Sequence, residues 1–413
     1  MTVRPLAVFA AMTVAAAAPA AAQTDDPAIR EALGILQRDN DWTVAQQISL
    51  CEIPAPPFKE AARAAEYANR FRALGYEATV DQVGNVIAVR KGTGGGRRFM
   101  IAAHLDTVFP EGTDVKVKRE GTKLIGPGIG DDCRGLAVVL AVARAMHLAK
   151  VTTKGDVVFV GNVGEEGPGN LRGVRHLFGE KSAGPVDAFV SVDGIGYGLV
   201  SRAVGSNRYL VSFDGPGGHS YGAFGMPNPI HAMGRAIAGI GDIQVPEHPK
   251  TTFNVGIVEG GTSVNSISFK ATMQVDLRSE SAEQLALTDA TFRKIVENAV
   301  AAERARWPRS KAALTASFTD MGQRPAGAQP DTLWIVRTAQ KSAARLGLPA
   351  PQPSASSTDA NVPISLGIPA LSIDGGGMGG GAHSLGEWYD DGPRGWLGPQ
   401  WALLLTTEVA NGY

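Results

Sequence analysis

Acidic and imidazole side chains follow three apolar segments of this 413-residue sequence. RRFMIAAHLDTV carries His104 and Asp106 near its end, DVVFVGNVGEE ends in Glu165 and Glu166, and DAFVSVDG carries Asp193. Carboxylates that gather closely repel one another unless they are protonated or bound to cations. Carboxylate and imidazole groups together suit Zn²⁺ and related divalent metals, so these segments predict a metal site.

Two glycine-rich loops contribute groups of the same kind, Asp131 and Asp132 in GPGIGDDCRG and His383 in GGGMGGGAHS. If one carboxylate bridges two cations, five ligands supply six bonds and leave each cation an open position for a shared water. The sequence therefore predicts two Zn²⁺ ions, with Co²⁺ or Mn²⁺ as alternatives. The best candidates for the ligand set are His104, Asp131, Glu166, Asp193 and His383.

The spacing inside two of these segments suggests further roles. On a strand, His104 and Asp106 would face the same way, so Asp106 is predicted to hold the far ring nitrogen of His104. Glu165 and Glu166 are adjacent and would point in different directions. One of them can ligate metal while its neighbour accepts a proton from water as a general base.

The elements that carry these residues predict an α/β fold. The apolar segments are typical of strands buried on both faces, and KEAARAAEYANRFRALG (59–75) and CRGLAVVLAVARAMHLA (133–149) have helical patterns. Buried strands that alternate with helices indicate a mostly parallel central sheet flanked by helices. Ligands bind beyond the carboxyl ends of such strands, which is where the acidic and imidazole groups stand.

The pattern changes near Gly205, where half-exposed alternating strands accompany two helices. That arrangement favours a small α+β sandwich inserted into the first domain. We therefore expect the catalytic domain in two parts, residues 23–205 and 321–413, around an inserted lid at 206–320. ALTASFTD (313–320) is predicted as the last strand of the lid.

Residues 1–22 have the pattern of a signal peptide, with one early positive charge, an apolar run and a terminal Ala-Ala-Ala. The mature protein is then expected in the periplasm or outside the cell, without a membrane anchor. Lys and Arg total 39 against 40 Asp and Glu, and this balance argues against a nucleic-acid-binding protein. The two cysteines, Cys51 and Cys133, are interpreted as separate buried thiols, although spacing alone does not exclude a disulfide.

Six segments resemble the dizinc exopeptidase/aminoacylase family, which includes glutamate carboxypeptidase, peptidase T and succinyl-diaminopimelate desuccinylase. They appear in the family's order, across most of residues 30–413, and the last of them lies in a stretch most similar to the peptidase-T-like branch. The matching segments are AAHLDTV, GPGIGDDCRG, GNVGEEGPGN, VSVDG, GPGGHSYG and GAHSLGE.

The resemblance implies a role for each candidate in the metal site. Asp131 is the bridging ligand, His104 and Asp193 complete one metal site, and Glu166 and His383 complete the other. Glu165 is the general base and Asp106 the orienting carboxylate. The family often has a cis peptide bond after the bridging residue, which here is the Asp131–Asp132 bond; Asp132 itself is interpreted as a helix N-cap.

The inserted domain resembles the family's lid, which often forms the interface of a homodimer. The lid histidine, here His219, is expected to polarise the scissile carbonyl, often across that interface. Asn265 and Arg278 resemble substrate-holding lid residues, and a guanidinium suits a carboxylate. Asp359 matches a substrate-loop motif only weakly, and a turn is its competing interpretation.

These observations predict a metallohydrolase that cleaves short peptides at one end, with a metal-bound water as nucleophile and Glu165 as general base. A deacylase of N-acyl amino acids with the same site is the alternative. A non-catalytic, metal-dependent binding protein is the alternative from another class, and the presence of Glu165 argues against it.

Overall fold

The computed structural model describes residues 26–179 and 184–412, so the predicted signal peptide lies outside the described residues. The helices are α1 Pro27–Arg38, α2 Asn40–Cys51, α3 Ala61–Ala73, α4 Cys133–Leu148, α5 Arg172–Gly179, α6 Pro229–Gly241, α7 Ala282–Arg306, α8 Trp334–Arg345, α9 Asn361–Ser365 and α10 Leu397–Asn411.

The strands fall into a large central sheet, a lid sheet and two small sheets. They are β1 Ala78–Val80, β2 Val86–Arg90, β3 Phe99–His104, β4 Lys118–Glu120, β5 Lys123–Ile125, β6 Val157–Asn162, β7 Ala188–Val192, β8 Leu199–Ala203, β9 Gly205–Asp214, β10 Gly218–His219, β11 Thr251–Gly260, β12 Ser266–Ile267, β13 Lys270–Ser279, β14 Thr315–Arg324, β15 Gly327–Ala328, β16 Pro353–Ser356, β17 Ala370–Ile373, β18 Met378–Gly380 and β19 Trp388–Asp390.

The nine-stranded central sheet has the order β1-β2-β6-β3-β7-β17-β8-β15, and β16 also pairs with β8. Its middle strands β6, β3, β7 and β17 run parallel, and every residue of each is buried or nearly so. Apolar runs of this kind need cover on both faces, which helices provide here. The predicted α/β class with a mostly parallel sheet is confirmed.

Helix α4 lies in the middle of the main core, and its first eleven residues are all buried. It packs on α1, α2, α10 and the central sheet, so no face of this helix meets solvent along that stretch. Gly135 allows the close approach to β7, because a Cβ there would lie 2.0 Å from the carbonyl oxygen of Val192. The first turn of α4 is thereby fixed at the carboxyl end of the sheet.

The lid sheet has the antiparallel order β11-β13-β9-β14. Its buried alternate residues, among them Val211 and Met273, form a separate core with residues of helices α6 and α7, including Phe292 of α7. The opposite face of the sheet carries polar side chains, including Arg208 and Arg278. The last strand extends four residues beyond the predicted 313–320 because β14 stays paired with β9 as far as Arg324 and Ser206.

Among residues 26–179 and 184–412, no helix combines the length and hydropathy that a bilayer crossing requires.

Candidate metal centre

The carboxyl ends of three parallel strands deliver the predicted acidic and imidazole groups to one place. His104 is the last residue of β3, Glu165 and Glu166 lie in the loop after β6, and Asp193 follows β7 directly. The cavity at this edge has a volume of about 650 Å³. Its lining includes Asp131, Glu165, Glu166, Asp193 and His383.

Two groups of potential ligands share Asp131. His104, Asp131 and Asp193 form one group, Asp131, Glu166 and His383 form the other, and the ligand atoms within each group lie within 4.8 Å of one another. Oδ1 of Asp131 is 2.9 Å from Nε2 of His104, and Oδ2 is 3.1 Å from Nε2 of His383. One carboxylate thus presents a different oxygen to each group, which is the geometry a bridging ligand needs.

The electrostatics of the cluster fit a pair of divalent cations. Burial and the charge of Asp131 raise the pKa of Glu166 to about 8 and that of Asp193 to about 7. Hydrogen bonding to Asp131 raises the pKa of His383 to about 9. Without cations the acids must therefore share protons, whereas two divalent ions would compensate the three carboxylates directly. The oxygen and imidazole donors are those that zinc-type metals take.

The contacts of the Asp106 carboxylate differ from those that the sequence predicted. Nδ1 of His104 lies 3.0 Å from the backbone oxygen of Asp106 and 3.8 Å from its carboxylate. The carboxylate instead accepts the backbone N–H groups of Glu165, at 3.0 Å, and Glu166, at 2.8 Å. The reason is that β3 ends at His104, so the strand alternation that placed both side chains on one face no longer applies.

Glu165 has a partner that sequence reasoning missed. Arg324 donates from Nη1 to Oε1 of Glu165 at 2.8 Å, and Nη2 donates to the backbone oxygen of the same residue. Both side chains are buried, with Arg324 6% and Glu165 5% exposed. Burial raises the pKa of Glu165 and the Arg324 charge lowers it, and burial prevails. No sequence signal marked Arg324, because it lies at the end of a lid strand far along the chain.

The loop that carries Asp131 is held by Glu387, a second residue that the sequence analysis missed. The Glu387 carboxylate accepts the backbone N–H groups of Gly128, Gly130 and Asp131 at 3.0, 2.7 and 2.9 Å. Glu387 ends the GAHSLGE segment, so its place beside His383 was the available signal.

Asp132, the residue after Asp131, is the N-cap of α4, which begins at Cys133. The Asp131–Asp132 peptide bond is cis. The Asp132 carboxylate caps α4 by accepting the backbone N–H of Gly135 at 2.9 Å, and it also accepts the N–H of His104 at 3.0 Å. The interpretation of Asp132 as a helix cap therefore agrees with its contacts.

Both cysteines are free and buried, and they pack in one small apolar cluster with Leu124, Ile129 and Tyr389. Cys133 belongs to none of the ligand groups found in the part of the chain that the structure describes.

The lid face over the cavity carries an arginine pair. Nε of Arg208 donates to Oδ1 of Asp276 at 3.1 Å, and Nε of Arg278 donates to Oδ2 at 2.7 Å. Both guanidinium groups line the cavity. Within residues 26–179 and 184–412, the Nη atoms of these arginines donate to no protein acceptor, so they remain available to a ligand.

The other three predicted site residues lie outside the cavity lining. His219 and Asn265 come together at the short β10–β12 pair of the lid, where His219 is exposed and its Nδ1 accepts the backbone N–H groups of Tyr221 and Gly222 at 3.3 Å. Asp359 is fully buried behind the cavity wall, where its Oδ2 accepts a hydrogen bond from Asn162 at 2.7 Å. The three residues before it, Ser356, Ser357 and Thr358, line the cavity, whereas Asp359 does not.

Comparison with known proteins matches the part of the chain that carries the candidate ligands. The model of "Peptidase family M20/M25/M40" matches residues 100–394. The uncharacterized protein YqjE of Bacillus subtilis is 26% identical over 70% of this chain and 76% of its own length. Carboxypeptidase G2 of a Pseudomonas species is 28% identical over 47% of each chain. The crystal structure of aminopeptidase PepT from Bacillus cereus superposes with a TM-score of 0.72 over 90% of this chain and 98% of that one, at 22% identity, and this likeness concerns the fold alone.

Proposed function

The chain belongs to peptidase family M20/M25/M40 and is a hydrolytic metalloenzyme, and from this we propose that it is a dizinc exopeptidase acting on short peptides. The observation that carries the proposal is the sharing of Asp131 between two ligand groups. Glu165 lies beside them in a third group, with His104 and Glu166, that does not include Asp131. A deacylase of N-acyl amino acids remains the alternative, because both reactions cleave an amide with the same groups.

Different residues of the chain would bind the cations and transfer the proton during cleavage of the amide bond. Two bound cations would polarise the scissile carbonyl and make water acidic enough to attack at neutral pH. Oε1 of Glu165 is held by Arg324, and within residues 26–179 and 184–412 Oε2 accepts no hydrogen bond, so Oε2 can accept the proton of the attacking water and return it to the leaving nitrogen. His104, Asp131, Glu166, Asp193 and His383 would hold the cations.

The lid arginines support a substrate with a free carboxylate. Arg208 and Arg278 share a single carboxylate, Asp276, so together they leave one positive charge facing the cavity. A guanidinium offers two parallel donors to a carboxylate, which makes this pair a site for the terminal group of a short peptide. The same group occurs in an N-acyl amino acid, which is why the alternative stays open.

We further propose that two copies associate through the lid and that each supplies His219 to the other's cavity. Two features of the lid support this arrangement: His219 lies outside its own cavity lining, and the edge strand β11 exposes Ile257 and Val258. Sedimentation should then give a dimer, and mixing two inactive variants, His219→Ala and Glu165→Gln, should restore activity by forming mixed dimers. A monomer of full activity would contradict the arrangement.

Export remains a proposal based on residues 1–22. If the segment is a signal peptide, the mature protein recovered from a periplasmic extract should begin at Gln23 by mass spectrometry. Recovery of the intact chain from the cytoplasm would contradict it.

Glu165→Gln is the decisive test of the proposed function. The amide cannot accept the proton, so turnover of peptides should fall by at least about a hundredfold while metal content stays at two ions per chain. Glu111→Gln, an exposed acid paired with Lys59, is the matched control and should behave as wild type. Near-normal rates in Glu165→Gln would refute the role of Glu165. A screen of tripeptides, dipeptides and N-acyl amino acids with added Zn²⁺, Co²⁺ or Mn²⁺ separates the exopeptidase from the deacylase, and hydrolysis of none of them would contradict both proposals.

A further inference from the structure

The cavity contains a carboxylate that the reaction described above does not use. Asp374 follows β17 and lines the cavity wall that the central sheet provides. Oδ2 of Asp374 accepts the backbone N–H of Gly198 at 2.6 Å. Within the described residues, Oδ1 accepts no hydrogen bond and no cation pairs with the side chain.

A glycine loop makes room for this carboxylate. The segment Gly194-Ile195-Gly196-Tyr197-Gly198 places glycine at every second position. A Cβ at Gly194 would lie 2.6 Å from Oδ1 of Asp374, and one at Gly198 would lie 2.8 Å from Oδ2. Side chains at these positions would therefore fill the space around the carboxylate.

The Asp374 carboxylate contacts the residue that follows one of the candidate metal ligands. Gly194, whose Cβ position is 2.6 Å from Oδ1 of Asp374, directly follows the ligand candidate Asp193. In an amino-terminal residue the α-nitrogen is only about 2.5 Å from its own carbonyl carbon. A group that binds the α-nitrogen of the cleaved residue must therefore lie this close to the metal ligands, whereas a group that binds a more distant part of a peptide need not.

The charges of the cavity have opposite signs on its two walls. Glu165 is paired with Arg324, and the three carboxylates of the ligand set would be compensated by the cations. What remains is the negative charge of Asp374 on the central-sheet wall and one positive charge from Arg208 and Arg278 on the lid wall. Such a cavity is complementary to a molecule with an ammonium group at one end and a carboxylate at the other.

We propose that Asp374 binds the α-ammonium group of the substrate, so that the enzyme removes the amino-terminal residue from short peptides that are unblocked at both ends. This inference rests on the proposed exopeptidase function and adds to it the end that is cleaved. A half-buried carboxylate with a free oxygen favours an ammonium partner, whereas an acyl group in the same place would leave the carboxylate without one.

The test compares Ala-Gly-Gly with propionyl-Gly-Gly, which differs only by the absence of the ammonium group. The wild-type enzyme should prefer Ala-Gly-Gly by about tenfold to a hundredfold in kcat/KM, and the first product should be alanine. In Asp374→Asn, which keeps the shape and the acceptor for Gly198, the preference should fall to within about threefold through loss of activity on Ala-Gly-Gly. Asp242→Asn, at an exposed helix end, is the matched control and should keep the wild-type preference.

A purely structural role for Asp374 would lower both rates equally and leave the preference unchanged, which would overturn the inference. Release of free glycine from the carboxyl end of Ala-Gly-Gly would overturn it as well. Calorimetric binding of both peptides to Glu165→Gln gives a second readout that needs no turnover, and there the same preference is expected. If no peptide is hydrolysed, the exopeptidase proposal fails by itself, while equal affinities for the two peptides would refute the role of Asp374.

Discussion

Replacing Arg324 with methionine should disable the general base without altering any candidate metal ligand. Arg324 and Glu165 are 6% and 5% exposed, so the substitution leaves a buried carboxylate without its charged partner. Breaking a buried ion pair from one side costs about 3–5 kcal/mol, and we expect the free energy of unfolding to fall by about 3 kcal/mol. The kcat should fall by roughly a hundredfold, because Glu165 also loses the two contacts that fix its side chain and backbone.

A double-mutant cycle with Glu165→Gln tests whether Arg324 acts through Glu165. If it does, adding Arg324→Met to Glu165→Gln should change kcat by less than about threefold, and the two losses of stability should not add. Urea denaturation gives the free energies of unfolding, and steady-state kinetics on the best tripeptide gives kcat. Arg202→Met is the control, because it removes only a surface pair with Asp331, worth about 0–1 kcal/mol.

The reasoning would be refuted if Arg324→Met kept kcat within twofold of the wild type. It would also be refuted if the effects of Arg324→Met and Glu165→Gln on kcat multiplied, since Arg324 would then act on some other step. Arg324→Lys separates charge from geometry. It keeps the positive charge and loses the two-pronged contact, so we expect an intermediate kcat and most of the stability.

Four further outcomes follow from the contacts of the site and of one surface carboxylate. Glu387→Gln should weaken metal affinity about 10- to 100-fold in a chelator competition, because three backbone N–H groups lose a charged acceptor; unchanged affinity would contradict the role of Glu387 in holding the Asp131 loop. Elemental analysis should find about one ion per chain in His383→Ala and almost none in Asp131→Asn, and equal loss in both would argue against a shared carboxylate. Removal of metal with a chelator should lower Tm, because the cations bind the folded state, and an unchanged Tm would argue against the site. Burial raises the pKa of Asp156, but the Gly92 N–H, Lys91 and Arg98 outweigh it and hold that pKa below its usual range. The stability that it contributes is therefore present above about pH 4 and lost on acidification through the folded-state pKa, so Asp156→Asn should flatten the acid side of the stability profile.

The central sheet could be predicted from the sequence because its signal is local. Five consecutive apolar residues before His104 and four before Gly161 fit strands covered on both faces, and the ligand candidates stand where those strands end. Parallel strands share one carboxyl edge, so the convergence of His104, Glu166 and Asp193 follows from topology alone. The joining of Asp131 and His383 to that edge came from motif resemblance, since loop residues carry no periodicity.

The contacts of Asp106 show where a local rule stops. Alternation places residues two apart on one face only while the strand continues, and β3 ends at His104. The chain then turns, so that the backbone oxygen of Asp106 meets the ring and its carboxylate reaches the loop of Glu165 and Glu166. A strand end is the least determined feature of a sequence pattern, and here it decides what the carboxylate does.

Arg324, Glu387 and Asp374 share a reason for having been missed. Each is separated by more than 150 residues from the group it contacts, and each contact is made wholly or partly with backbone atoms, which any sequence presents. Side-chain chemistry can be inferred from residue types. A backbone N–H, in contrast, becomes the partner of a particular side chain only through the folded structure. Arg324 and Glu387 therefore hold other groups of this site in place and Asp374 is proposed to bind substrate, whereas the residues predicted from type and spacing are the candidates for its reactive atoms. Substitutions at the first kind should change affinity, specificity or kcat by graded factors, while substitutions at the second should remove metal or turnover outright.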